Sequence, residues 1–183
     1  MLKSLGKSLK EKLKGTDLSE IADIFLFGSA VKGKDFPKDI DICIVFKNHI
    51  IKKKVAEITN KLYEYAIHAS CIGTDDFFRK PHPLAKTLLV EGVSILNGKP
   101  FIQNFGFSSY ALYSYNLSKK KPSDKVKFVY LLKGRKEKGI VKRFGGLWIA
   151  NSCFIIPVQR DSEMLIIFKK WEISYQRKEI LIH

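Results

Sequence analysis

The sequence predicts an α+β fold: a two-layer mixed sheet with helices, followed by a small basic α+β module. Three observations predict it. Short apolar runs bounded by Gly, Pro and Asn read as strands. Between them, Leu, Ile and Val recur at spacings of three and four, the helical period. Near residues 98–106 the pattern breaks at Lys99-Pro100 and Asn104-Phe105-Gly106, so the expected domains are 1–100 and 101–183.

The chain has 183 residues, 45% hydrophobic and 28% charged, which excludes wholesale disorder. No apolar run approaches the roughly 18 residues of a membrane span. The Lys-rich N-terminus has no long apolar core, so no signal peptide is expected. Cys43, Cys71 and Cys153 form no CxxC pair and sit in apolar runs, as expected of reduced, buried thiols in a cytoplasmic protein.

In order along the chain, Leu2, Leu5, Leu9 and Leu13 form the apolar stripe of a lysine-faced helix. The stripe is narrow and lacks aromatics, which favours packing on the fold over lying on a membrane. Asp17 to Ala22 reads as a short helical turn. Ile24-Phe25-Leu26-Phe27 reads as a strand, Gly28-Ser29 as the turn ending it, and Asp39-Ile40-Asp41-Ile42 as the start of a second strand. Asn48 caps a predicted helix to about Tyr65, with Ile51, Val55, Ile58, Leu62 and Tyr65 on its buried stripe. Residues 66–72 form a third strand. Asp76 to Arg79 and Pro83 to Glu91 form helices, Gly92 caps the second, and residues 93–96 form an edge strand.

Asp39 and Asp41 share one face of their strand, about 7 Å apart, while Ile40, Ile42 and Ile44 take the other. Two such carboxylates repel unless a cation neutralises them, and hard oxygen ligands suit Mg²⁺. A Gly-Ser turn beside them exposes backbone N–H groups to a phosphate.

Gly28-Ser29-x-x-x-Gly33 followed by Asp39-x-Asp41 resembles the DNA polymerase β-like nucleotidyltransferase superfamily, particularly its minimal nucleotidyltransferase members, and residues 67–78 and 83–96 look like an archaeal-type subset of these. The resemblance covers the N-terminal part only. It departs in a link one residue shorter than the common form, in Lys38 where Ser usually precedes the first Asp, and in Ala30 where a basic residue is frequent. It implies that Gly28, Ser29 and Lys32 bind a nucleoside triphosphate, ATP among the candidates. It also implies that Asp39 and Asp41 hold Mg²⁺ or Mn²⁺. The third carboxylate of the superfamily lies on the third strand, where this chain has His68 and Ser70 instead. His68 then reads as a substitute base, a softer ligand, or a hydrogen-bonded strand histidine. Asp75 and Asp76 follow that strand and read as helix caps or as acids reaching the site.

Net charge is +15, and residues 101–183 carry 16 Lys and Arg against 6 Asp and Glu. Between Lys119 and Arg143 there are eleven basic residues and two acids. Lys119, Lys120, Lys121, Lys133, Arg135, Lys136, Lys138, Lys142 and Arg143 are the candidate contacts to a nucleic-acid backbone. Tyr110, Tyr113 and Tyr115 are either stacking residues or core-facing strand residues. The expected elements of this part are strand 109–117, a helix capped by Ser123 and Asp124, a short helix from Ile140, strand 147–158, a helix from Asp161 or Ser162, and strand 174–182.

Together the residues and the resemblance imply nucleotidyl transfer from a triphosphate to an acceptor hydroxyl, on RNA or on a partner. The alternatives are a nucleic-acid-binding or regulatory module of impaired activity, and an antitoxin-like partner of another protein.

Overall fold

The computed structural model describes residues 2–33, 39–79 and 82–183. The chain divides into two compact units, Met1–Gly106 and Phe107–His183, each with its own sheet. Both are α+β, as the sequence predicts.

The first unit contains α1 (Leu2–Lys12), β1 (Ile21–Phe27), β2 (Ile40–Phe46), α2 (Lys52–Lys61), β3 (Ile67–Gly73), α3 (Thr74–Arg79), α4 (Pro83–Glu91) and β4 (Val93–Ser94). Its sheet runs β3-β2-β1-β4. β1 is antiparallel to β2 and β4, while β2 and β3 are parallel because α2 carries the chain back between them. Ile24, Leu26, Ile42, Ile44 and Phe46 face one layer, packed on Leu9 and Leu13 of the first helical segment and on Ile58 and Leu62. Leu2 and Leu5 pack against the same cluster, so the N-terminal leucine stripe is core. Phe25, Cys43, Val45 and Ile72 face the opposite layer, with Phe77, Ala85 and Leu88.

Two local expectations are corrected here. No helix forms over Asp17 to Ala22: Ile21 N–H closes a turn onto Leu18 O at 3.0 Å, and Ile21 then pairs with Phe46. A register shift between Ile21 and Asp23 lets both Ile21 and Ile24 reach the same core. Asn48 does not cap α2. Thr74 Oγ1 donates to Lys47 O at 2.6 Å, tying that backbone to the end of β3, and the cap position falls to Ile51. Lys38, noted above as standing in place of the usual Ser, lies outside the described residues.

The second unit contains β5 (Ser108–Asn116), α5 (Pro122–Lys133), α6 (Ile140–Arg143), β6 (Leu147–Ala150), β7 (Cys153–Pro157), α7 (Asp161–Trp171) and β8 (Ser174–Ile182). Its antiparallel sheet runs β6-β7-β5-β8. The expected strand over 147–158 is a hairpin, because Asn151-Ser152 turn the chain between β6 and β7. Ser123 and Asp124 do not cap α5: Pro122 occupies its first turn, preset for the helix, and Lys121 takes the cap position. Tyr113 and Tyr115 are 0% and 6% exposed and pack with Phe128, Phe154 and Phe168, so they are core residues.

Asp161 is the polar pin of this core. Only 1% exposed, it accepts hydrogen bonds from Tyr113 Oη and from Arg177 Nε, at 2.9 Å for the arginine. Arg177 also reaches Glu179 at 3.0 Å. Burial works against the Arg177 charge, yet its bonds to Asp161 and Glu179 more than offset this and hold its pKa above the usual value. Burial, then the bond to Asp161, pushes the Tyr113 hydroxyl up.

Removing one partner of such a pair strands the other, so Asp161→Ala is expected to destabilise the second unit by about 3 kcal/mol, measured by urea denaturation. A second expectation concerns Asp23. Burial raises its carboxyl pKa, while bonds from Ser94 Oγ and Ile24 N–H partly oppose the shift. The native state therefore holds the proton more tightly. That contribution is present in acid and lost as pH rises through the raised native value. Asp23→Asn should melt higher than the parent at neutral pH, with the gap closing in acid, as read by thermal midpoints across pH.

Candidate functional site

β1 delivers the chain to a tight turn. Gly28 sits at φ 72°, and a 3₁₀ turn follows over Gly28–Ala30. The N–H groups of Val31 and Lys32 both donate to Gly28 O at 3.2 Å. Ala30 and Val31 are buried and anchor the turn in the core. Phe27 pairs with Asp41 across the β1–β2 ladder, which sets the turn beside that carboxylate. A Cβ on Gly28 would overlap Asp41 Oδ2, so another residue would have to push that carboxylate aside as well as adopt the backbone angle.

Asp39 and Asp41 line one open cleft of about 500 Å³ with Ala66, Ile67 and His68. Asp39 is exposed just before β2, and Asp41 is partly buried within it. Strand alternation points Asp41 away from Ile40 and Ile42, as expected from the sequence. The parallel register pairs Asp41 with His68, whose Nδ1 lies 3.4 Å from Asp41 Oδ1. The histidine thus stands beside the carboxylate pair with 76% of its side chain exposed.

Asp75 and Asp76 lie in the first turn of α3, beyond the far end of β3. Five residue steps along β3 carry the chain from His68 to Gly73, about 17 Å of strand. Asp75 pairs with Arg79 at 3.7 Å. Neither acid joins the cleft.

Lys32 reaches Glu91 at 3.2 Å, with 29% and 8% of their side chains exposed. Glu91 thus partners the candidate Lys32, although the sequence marks it only as the end of a helix. A signal was present: a carboxylate at the last position of an apolar helix meets the negative end of the helix dipole and calls for a cation.

Among the described residues, no lysine or arginine pairs with Asp39 or Asp41, and no group of three His, Cys, Asp or Glu side chains is placed to hold a metal. Two carboxylates on one rim fit a single hard cation that keeps its waters and shares phosphate oxygens with a substrate. They do not form a closed all-protein cage.

In the second unit the nine basic candidates fall between β5 and the end of α6. Lys119, Lys121, Lys133, Arg135, Lys136, Lys138, Lys142 and Arg143 are exposed. Lys120 is partly buried and pairs with Glu172 at 3.5 Å. Lys133 and Arg135 lie over the rings of Trp148 and Tyr130 at 5.0 and 5.4 Å. These two aromatics, rather than Tyr113 and Tyr115, accompany the basic loop.

A mixed sheet carrying a Gly-Ser turn against an Asp-x-Asp strand defines a nucleotidyltransferase-type domain. The family model described as Polymerase beta, Nucleotidyltransferase matches residues 7–100, just over half of the chain, and the chain belongs to that family. No curated protein matches it. Among solved structures, a similar chain comes from the tri-AMPylated Shewanella oneidensis HEPN toxin in complex with MNT antitoxin. It is 18% identical, with 57% of this chain and 77% of that one covered, at a TM-score of 0.37. So distant a likeness carries no argument about function. No helix among the described residues is long and apolar enough to cross a membrane.

The Gly28 turn makes a sharp expectation. Gly28→Ala meets both a left-handed backbone and the Asp41 carboxylate, and should cost about 1–2 kcal/mol of stability. Chemical denaturation of the variant against Gly6→Ala, where nothing lies within 4 Å, measures it.

Proposed function

We propose that the protein transfers a nucleotidyl group from a nucleoside triphosphate, with Mg²⁺ or Mn²⁺, to an acceptor hydroxyl held by residues 107–183. RNA is the acceptor this reading favours, and the reducing cytoplasm its setting. One observation carries the reading: the Gly28 turn is packed directly on Asp41, and Asp41 lines a cleft with Asp39 and His68.

In this reading Gly28 and Ser29 bring backbone close to the triphosphate, and Lys32 steadies its charge from a position fixed by Glu91. Asp39 and Asp41 would hold the cation. When bound, the cation neutralises the phosphates and polarises the phosphorus under attack. The acceptor oxygen attacks the α-phosphorus. The bond from that phosphorus to its bridging oxygen breaks, and pyrophosphate leaves. His68 accepts the hydroxyl proton at Nε2, since Nδ1 faces Asp41.

The arrangement also supports a second reading. His68 occupies the position in register with Asp41 where a third carboxylate is expected, and this favours a binding module with little turnover. One experiment separates the two. The protein is incubated with each α-labelled triphosphate, Mg²⁺ or Mn²⁺, and total RNA or lysate. Label on RNA supports transfer to RNA, and label on a protein moves the acceptor to a partner. Absence of label, with salt-sensitive RNA binding retained, selects the binding module.

If transfer occurs, Asp41→Asn should lower its rate about 10²–10³-fold. His68→Gln should lower it about 10²-fold and shift the pH–rate profile. Initial rates across pH check both.

A further inference from the structure

We propose that Tyr130 and Trp148 form a stacking platform for the bases of a single-stranded nucleic acid, with Lys133 and Arg135 engaging its phosphates. The inference rests on the reading of residues 107–183 as the acceptor-holding unit, and it names how that unit grips.

Aromatic burial in this unit is graded, and Trp148 is partly buried, packing on the core with its ring centroid 5.2 Å from that of Phe154. Tyr113, Tyr115, Phe128, Phe154 and Phe168 are buried together in one cluster. Tyr130 is left 44% exposed on α5, while Phe128 and Leu132 beside it turn inward. Val126, one helical turn before Tyr130, is 50% exposed, so the outward face of α5 sets apolar surface among the exposed Lys127 and Lys133. Such a surface inside a stretch with eleven basic residues and two acids has two properties a single strand requires: a π-face and positive charge.

The cations around it are arranged differently from the structural ones. Elsewhere in this unit Lys120 pairs with Glu172, Arg160 with Glu163, and Arg177 with Asp161. Lys133 and Arg135 have no carboxylate partner among the described residues, and each lies over an aromatic ring. Their charges are available to phosphate. Lys133 stands one turn from Tyr130 on α5 and reaches across to Trp148 on β6, which links the two rings through one side chain. The loop that returns Arg135 over Tyr130 is fixed. Gly134 takes φ 87°, a Cβ there would overlap Glu137 O, and Gly139 N–H closes the loop onto Lys133 O at 3.3 Å. A loop held this way loses little further freedom on binding.

The chemistry favours single strands over duplex. Bases already stacked in a duplex present no free face to Tyr130, whereas unpaired bases do.

The test uses the full chain without triphosphate, so it is independent of catalysis. Fluorescence anisotropy compares a labelled oligouridylate of about ten nucleotides, an abasic oligomer of equal length, the corresponding duplex, and anionic phospholipid vesicles as competitor. The intact single strand should bind at least tenfold tighter than the abasic oligomer and the duplex. Tyr130→Ala should remove most of that difference, while Tyr130→Phe keeps it. In a Trp171→Phe background, the remaining Trp148 emission should be quenched by the intact strand and not by the abasic one. Replacing Lys133 and Arg135 with alanine should weaken both oligomers alike and flatten the salt dependence. The proposal is overturned if the abasic oligomer or duplex binds as tightly as the intact strand, if Tyr130→Ala changes nothing, if vesicles alone bind, or if no oligonucleotide binds. Stacking without label transfer leaves this inference standing and removes only the catalytic reading. Transfer to RNA with no effect of Tyr130→Ala does the reverse.

Discussion

The two-residue alternation of β2 is the constraint on which the first unit depends. Ile42, Ile44 and Phe46 are driven into the layer of α1 and α2, and that burial fixes which way Asp41 must face. A slip of one residue would turn the carboxylate into that layer and the isoleucines toward the opposite one. The hydrophobic energy of one side of the strand thus holds the polar chemistry of the other in place. The same register sets Phe27 opposite Asp41 and His68 beside it, so turn, carboxylate and imidazole are aligned by a single pairing pattern.

Much of this was legible in the sequence because it depends on local periods. The strand faces followed from alternation, the α2 stripe of Ile51, Val55, Ile58 and Leu62 from helical spacing, and the glycine turn from its flanking apolar run. What stayed hidden depends on contacts between distant residues. Asn48 is a sound cap by its chemistry, yet a bond from Thr74 holds its neighbour elsewhere. Asp75 and Asp76 are near the third strand in sequence, but a strand is extended, and a few residues carry them well away from the cleft. The Lys32–Glu91 pair joins residues fifty-nine positions apart, which no periodicity reveals.

The second unit shows how a strongly basic sequence keeps its charge in order. Its buried acid, Asp161, sits in the hydrophobic cluster and ties β8 to the helix layer through Arg177. Eleven of its sixteen cations gather on the stretch from Lys119 to Arg143. The tyrosines of β5 illustrate the limits of composition: Tyr113 and Tyr115 share the inward face of a strand and are consumed by the core. The aromatic on α5 lies outward because helical spacing puts Phe128 and Leu132 inward instead.

Cys43 lies on β2 between the carboxylate end and the far end of the strand, fully buried. Burial, with a smaller contribution from Cys71, pushes its thiol up to about 12. A thiol so placed has almost no thiolate at neutral pH and no path to reagent while the sheet is closed. Its alkylation rate is therefore a clock for opening of the central strand, built into the native chain, and reads the cohesion of the very element that carries Asp41.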